Sequence, residues 1–268
     1  MKLSAPIYQL KTKAKKLKKE RGIQLTEALN LVAREEGFNN WSLLMSKEEQ
    51  ILPTHYGEIL DYLNPGDVIL VGARPGIGKT NFTMGLFVQG LKEKRSKSFY
   101  FSLESTFKGL VSRVNSFDES IGQDDELFEL NDSDEICSEY IISRAKESVS
   151  SGSVIVIDYL QLLDQKRTNP VVQDQINDLV EFAKQTGAII ICISQIDRKL
   201  ENKTSKRPTL DDVRLVNPLD IKCFNKILFL YKEDMSNGSV EVYGEKPAKF
   251  SFMVSSADLG LTSKYLRP

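Results

Sequence analysis

Lys79 and Thr80 close a stretch, Gly72-Ala73-Arg74-Pro75-Gly76-Ile77-Gly78-Lys79-Thr80, whose residue types suit one kind of chemistry. Gly76 and Gly78 carry no Cβ, so their backbone can turn N–H groups inward toward phosphate oxygens. A lysine after the glycines supplies a point charge to the β- and γ-phosphates of a nucleoside triphosphate. A hydroxyl next to it supplies a ligand to Mg²⁺. The common pattern has glycine where Ala73 stands, and Gly72 just before it keeps a tight turn available. The expected nucleotide contacts are Ala73, Arg74, Pro75, Gly76, Ile77, Gly78, Lys79, Thr80 and Asn81, with a nucleoside triphosphate and Mg²⁺ bound there.

Such a loop works only between a buried strand and a helix start. Val68-Ile69-Leu70-Val71 is an unbroken apolar run suited to a strand covered on both faces. Asn81 to Leu91 has helical spacing, so free N–H groups and the positive end of a helix dipole would face the loop. Further apolar runs follow: Ser98 to Leu103, Val154 to Ile157 and Ala188 to Ile193. Helical patterns at Phe107 to Val114, from a cap at Ser133 or Asp134 through Glu147, and at Val171 to Gln185 separate them. A short strand is possible at Leu127 to Leu130. The alternation implies an α/β fold with a mainly parallel sheet and right-handed crossovers. Ile227 to Tyr231, Ser239 to Tyr243 and Ala248 to Val254 read as an antiparallel extension of that sheet.

In a parallel sheet ligands bind at the carboxyl ends of the strands. Asp158, Glu104 and Gln195 each fall at such an end. Asp158 suits a carboxylate holding Mg²⁺ together with Thr80, and a helix cap is its competing role. Glu104 suits a base for the attacking water, against a plain surface carboxylate in a turn. Gln195 suits a γ-phosphate sensor, against an ordinary strand-end residue. Next comes a run with five basic residues in ten, Arg198, Lys199, Lys203, Lys206 and Arg207. It reads as a mobile loop able to grip a phosphate backbone, and a solvated loop would have the same composition. It lacks aromatic residues for base stacking, which argues against sequence reading.

Residues 1–50 differ from the rest. Lys2 to Arg21 holds eight basic residues against Glu20 alone, with Ile7, Leu10, Ala14 and Leu17 at helical spacing. Thr26 is the expected cap of a second helix through Glu36, stopped by Gly37. Asn40 would cap a third, with Trp41, Leu43 and Leu44 apolar. A solvated helical cap, a nucleic-acid arm and a subunit-docking element all fit. The expected division is a small basic helical segment over 1–50 and a nucleotide-binding domain over 51–268, with Ile51 to Pro65 as linker and entry helix.

A net charge of −1 confines any nucleic-acid surface to a local patch. A single histidine, His55, excludes a multi-histidine metal site and disfavours a Ser–His–Asp hydrolase. Cys137, Cys192 and Cys223 make no CxxC pair, which suits a reduced, cytoplasmic protein. No apolar run approaches the ~18 residues of a membrane span, and the basic N-terminus has no apolar core of a secretory signal.

Taken together, Gly72 to Thr80, Phe101-Ser102-Leu103-Glu104, Ile157-Asp158-Tyr159-Leu160-Gln161-Leu162-Leu163 and Ile193-Ser194-Gln195 resemble, in this order, the motor domain of DnaB-type replicative helicases. Lys206-Arg207-Pro208 with Asp211-Asp212-Val213-Arg214 is similar to the family's post-sensor loop. The resemblance spans about residues 53–254. It implies a RecA-like P-loop NTPase core, ATP with Mg²⁺, a ring or filament, and single-stranded DNA as partner. The sequence departs from the family in four places. A 50-residue basic segment stands where the family has a large N-terminal domain. The stretch from Glu104 to Asp158 is short. Leu215-Val216-Asn217-Pro218 replaces a Glu-Ser-Gly run, and Gly244-Glu245-Lys246-Pro247 offers only Lys246 where the family has Lys-x-Arg fingers. These departures imply a slow ATPase or one completed by another protein, and leave a regulatory ATP-binding switch without helicase activity as the alternative. A recombination- or clock-type relative shares the core but fits Asp158-Tyr159-Leu160-Gln161 less well.

Overall fold

The computed structural model describes residues 4, 7–48, 56–94, 96–121, 126–164, 166, 168–214, 219–232, 239–246 and 250–255. The chain divides into two compact units, residues 1–53 and 54–268.

In the first unit, α1 (Ile7–Arg21), α2 (Leu25–Glu35) and α3 (Trp41–Glu48) enclose a small core of Leu10, Ala14, Ala28, Val32, Ala33, Phe38 and Leu44. Asn40 caps α3 through its side chain, accepting from the Leu43 N–H at 2.8 Å. Gly37, at φ +84°, follows the end of α2. Two expectations fail here. Thr26 lies inside α2, whose N-cap is Gln24 in extended conformation without a side-chain cap bond. Leu43 is 40% exposed, so the apolar contribution of α3 comes from Leu44 and the partly buried Trp41.

The second unit opens with α4 (Tyr56–Leu60); Ile51 to His55, the start of the expected linker, lie outside the described residues. Its elements then alternate: β1 (Val68–Ala73), α5 (Lys79–Lys94), β2 (Ser98–Ser102), α6 (Phe107–Phe117), β3 (Phe128–Asn131), α7 (Ser138–Ala145), β4 (Val154–Asp158), α8 (Val172–Thr186) and β5 (Ile189–Gln195). β6 (Lys226–Tyr231), β7 (Ser239–Lys246) and β8 (Phe250–Ser255) complete one sheet in the order β3-β2-β4-β5-β1-β6-β7-β8. All pairings from β3 to β6 are parallel, and β7 and β8 are antiparallel. β6 therefore joins the parallel part, because the long connection after β5 carries the chain back before it enters the sheet beside β1.

Period-two alternation sends each strand's side chains to two cores. Ile69 and Val71 of β1 pack with Phe82, Leu86 and Phe87 of α5, whereas Val68 and Leu70 pack with Ile176, Leu179 and Ala183 of α8. Gly85 lets α5 approach closely, since a Cβ there would meet the Tyr56 ring at 2.1 Å. α7 starts later than expected, with Cys137 as N-cap, because the caps anticipated for it are spent in turns. Ser133 Oγ accepts from the Glu135 N–H at 3.1 Å, and Asn131 Oδ1 accepts from the Ser133 N–H at 3.0 Å. Among the described residues no helix is long and apolar enough to cross a membrane.

Candidate active site

The loop after β1 closes with Gly76 at φ +78° and Gly78 at φ +103°, both in the left-handed region. There a side chain would cost about 1 kcal/mol or more. α5 begins at Lys79, and its first turn forms when the Phe82 N–H donates to the Gly78 carbonyl at 2.9 Å. Ile77 is buried and holds the loop to the core, while Pro75 and Gly76 are exposed at its tip. The Lys79 ammonium folds back over the loop and donates to the carbonyls of Ala73 (3.1 Å) and Arg74 (3.3 Å). Burial lowers its pKa, and the charges of Asp158 and Glu104 work in the opposite direction.

Register brings the other strand ends to this loop. Ala73 pairs with Gln195, Gly72 with Ser194, and Ser102 with Asp158. Asp158, 1% exposed, accepts a hydrogen bond from Tyr100 Oη at 3.1 Å. Tyr100 Oη also meets Thr83 Oγ1 at 3.2 Å, so a chain of hydroxyls runs from α5 through β2 to the carboxylate. Burial pushes the Asp158 carboxyl up to about 6; hydrogen bonds from Thr80 and Tyr100 and the charge of Lys79 oppose that rise, and the charge of Glu104 adds to it. A buried carboxylate beside a hydroxyl is a hard-oxygen pair suited to Mg²⁺, which takes few protein ligands and completes its shell with phosphate and water. Among the described residues no group of three His, Cys, Asp or Glu forms a metal cluster, and a Mg²⁺ held mainly by phosphate and water needs none.

Glu104 lies just past β2, exposed, with its backbone N–H donating to Ser102 Oγ at 3.2 Å. The Gln195 amide donates to Glu104 Oε1 at 3.4 Å, joining the ends of two strands separated by β4. The structure thus gathers Lys79, Thr80, Asp158, Glu104 and Gln195 at the carboxyl ends of neighbouring interior strands.

The basic run is dispersed rather than pooled. Arg198–Asn202 forms a 3-10 turn capped by Asp197, and Leu200 anchors it in the core. Lys203 pairs with Asp212, Lys206 donates to the Glu201 carbonyl, and Arg207 makes a two-pronged pair with Glu241. The Arg207 guanidinium also lies 4.0 Å over the Tyr243 ring. Arg198 and Lys199 point outward. Both ends of the segment are tied to the sheet end, with the Arg214 N–H donating to the Gln195 carbonyl at 2.9 Å and the Asp197 N–H to the Asp212 carbonyl at 2.8 Å. Arg74 of the phosphate loop reaches Glu201 of the turn at 3.3 Å.

Three residues join the site that the sequence reading passed over. Arg113 on α6 donates to Asn81 Oδ1 at the start of α5. Its only signal is its place beside Leu110 and Val114, the buried stripe of that helix. Tyr100 and Thr83 had none, since an aromatic in a strand and a threonine in a helix usually serve packing. Leu215 to Pro218 and Pro247 lie outside the described residues; Lys246 closes β7.

Comparison with known proteins identifies the family and the fold. Residues 54–136 and 123–255 match the family described as DnaB-like helicase C terminal domain. The chain belongs to this family. It is 29% identical over 215 residues to the replicative DNA helicase DnaB of Pasteurella multocida (strain Pm70), covering 68% of this chain and 46% of that protein. A probable plasmid replicative DNA helicase of Chlamydia psittaci is 26% identical over 218 residues, covering 68% and 47%. The chain thus spans about half the length of the curated relatives it matches. Among solved structures, a DnaB-like replicative helicase, described with its interactions with primase, gives a TM-score of 0.61 at 21% identity, covering 93% of this chain and 73% of that one. A structure of an ATPase domain alone gives 0.62 at 21% identity, covering 88% and 97%. The RadB recombinase gives 0.51 at 20%, covering 74% and 90%. These likenesses establish a RecA-like fold with antiparallel strands at its C-terminal edge. Residues 1–53 lie outside the family match.

Proposed function

We propose that this chain is a Mg²⁺-dependent ATPase that couples hydrolysis to single-stranded DNA, as a motor of the DnaB type. The observation that carries the reading is the contact between Gln195 and Glu104, because Gln195 also holds the basic segment through its backbone. Lys79 and the loop N–H groups bind the β- and γ-phosphates. Thr80 and Asp158 hold Mg²⁺, which when bound neutralises charge on the phosphates. Glu104 orients and deprotonates the attacking water. Gln195 leaves Glu104 to meet the γ-phosphate and in doing so pulls on the Asp197–Arg214 segment, so the DNA grip of Arg198, Lys199, Lys203, Lys206 and Arg207 follows the nucleotide state. A ring or filament places a neighbour's cation at the γ-phosphate, with Lys246 as this chain's own candidate. Reduced thiols at Cys137, Cys192 and Cys223 support a cytoplasmic setting.

One observation favours a second reading, a regulatory ATP-binding switch: Lys203 and Arg207 already have carboxylate partners in Asp212 and Glu241. Steady-state ATP hydrolysis with and without single-stranded DNA separates the two. The motor reading expects DNA to stimulate turnover at least several-fold, more strongly at low salt. Tight ATP binding with negligible turnover, indifferent to DNA, would establish the switch.

A further inference from the structure

We propose that the exposed lysine row of α1, in the unit beyond the family match, is a second nucleic-acid surface that binds the phosphate backbone without reading sequence. Leu10 and Ala14 turn one side of α1 into the core of the first unit. The adjoining flank carries Lys11, Lys15 and Lys19 at i, i+4 and i+8, and Lys18 continues the Leu10–Ala14 row past the core, all four exposed. At helical rise the three span about 12 Å, enough to lie along several phosphates of one strand.

A merely solvated face would be built differently. The exposed residues of α8 mix signs, with Asp174, Glu181 and Lys184, and those of α2 mix Glu27, Arg34 and Glu35. Like charges at i, i+4 cost roughly 0.2–0.5 kcal/mol per pair in a helix, and α1 accepts two such pairs in succession. The fold does supply acids around the stripe: Lys13 pairs with Glu35 at 2.7 Å and Lys16 with Glu20 at 3.8 Å. None of the described acids pairs with Lys11, Lys15, Lys18 or Lys19. Residues 1–53 hold ten basic and six acidic side chains in a chain whose net charge is −1. The charge excess is local, and its complement is a polyanion. Lysines give point charges rather than planar forks, so the match is to phosphate rather than to base edges.

The test uses the full chain. Binding of a fluorescein-labelled oligothymidylate is titrated over a range of salt for wild type and for Lys11→Gln/Lys15→Gln/Lys19→Gln, with helix content and basal ATP hydrolysis as controls for folding. The expected result is a ~10- to 100-fold loss of affinity at low salt and a salt slope smaller by about 2, at ~0.7 for each phosphate no longer neutralised. Adding Lys79→Ala should leave that difference unchanged, so failure of the nucleotide site and failure of the stripe are told apart. A folded triple variant with wild-type affinity and slope overturns the proposal. A variant that changes self-association but not DNA binding also overturns it, and assigns the stripe to a second copy. If the triple variant fails to fold, Lys15→Gln alone must lower the slope by about 0.7, and an unchanged slope overturns the proposal.

Discussion

The phosphate loop and helix α1 both gather positive charge, and they do so by opposite means. The loop uses one half-buried lysine, two glycines in the left-handed region and the first turn of α5, so its charge is fixed in place and partly shielded from salt. Helix α1 uses four exposed lysines on flexible stems, each open to solvent. The first arrangement selects one phosphate geometry. The second attracts any polyanion and weakens steeply as salt rises. One residue type thus serves discrimination in one place and attraction in the other, and burial decides which.

The sharpest way to separate the regions is Lys79→Ala. It should lower Mg–ATP affinity about 100-fold or more and abolish turnover, while nucleotide-free binding to oligothymidylate stays at the wild-type value. Calorimetry of both ligands checks this, and equal losses would merge the two regions into one site. A second contrast needs no mutation. Raising salt from about 50 to 200 mM should weaken oligonucleotide binding ~10-fold or more and Mg–ATP binding less than about 3-fold.

The buried carboxylate whose charge Lys79 feels has a pH signature. Asp158 has a folded pKa of about 6 against an ordinary 3.8. Between those values the folded chain binds a proton that the unfolded chain does not, so this group's contribution to stability rises as pH falls from 6 toward 4 and is lost as pH climbs above 6. Mg²⁺ needs the carboxylate, so Mg–nucleotide affinity falls over the same acid interval. Asp158→Asn should raise the stability of the nucleotide-free protein at pH 8 by on the order of 1–3 kcal/mol and remove the Mg²⁺ dependence of nucleotide protection. Thermal melts across pH, with and without Mg–ATP, check both signs. The smallest effect belongs to Glu201→Gln, which cuts the link to Arg74. It should lower the DNA stimulation of turnover about 2- to 5-fold with basal turnover kept.

What could be read from the sequence follows the same division. The loop was legible because positive φ at Gly76 and Gly78, and a cation and hydroxyl at Lys79 and Thr80, restrict residue types at fixed spacing. The strand ends at Asp158 and Gln195 were legible because apolar runs stop abruptly there. Arg113 and Tyr100 were not, since they reach the site across the fold from elements that look like ordinary packing. Cap positions failed where side chains had a nearer partner, as with Ser133, or where the helix began upstream, as at Leu25 before Thr26. The pairing of Arg207 with Glu241 joins residues 34 apart, and no local pattern records it.

The central claim is that the strand-end cluster hydrolyses ATP with Glu104 as base. Single-turnover hydrolysis of radiolabelled ATP by wild type and Glu104→Gln, with Mg–ATP affinity measured in parallel, tests it most directly. The account expects the chemical step to slow by roughly 10²–10⁴-fold with affinity within a few-fold of wild type. Unchanged hydrolysis in Glu104→Gln would contradict it.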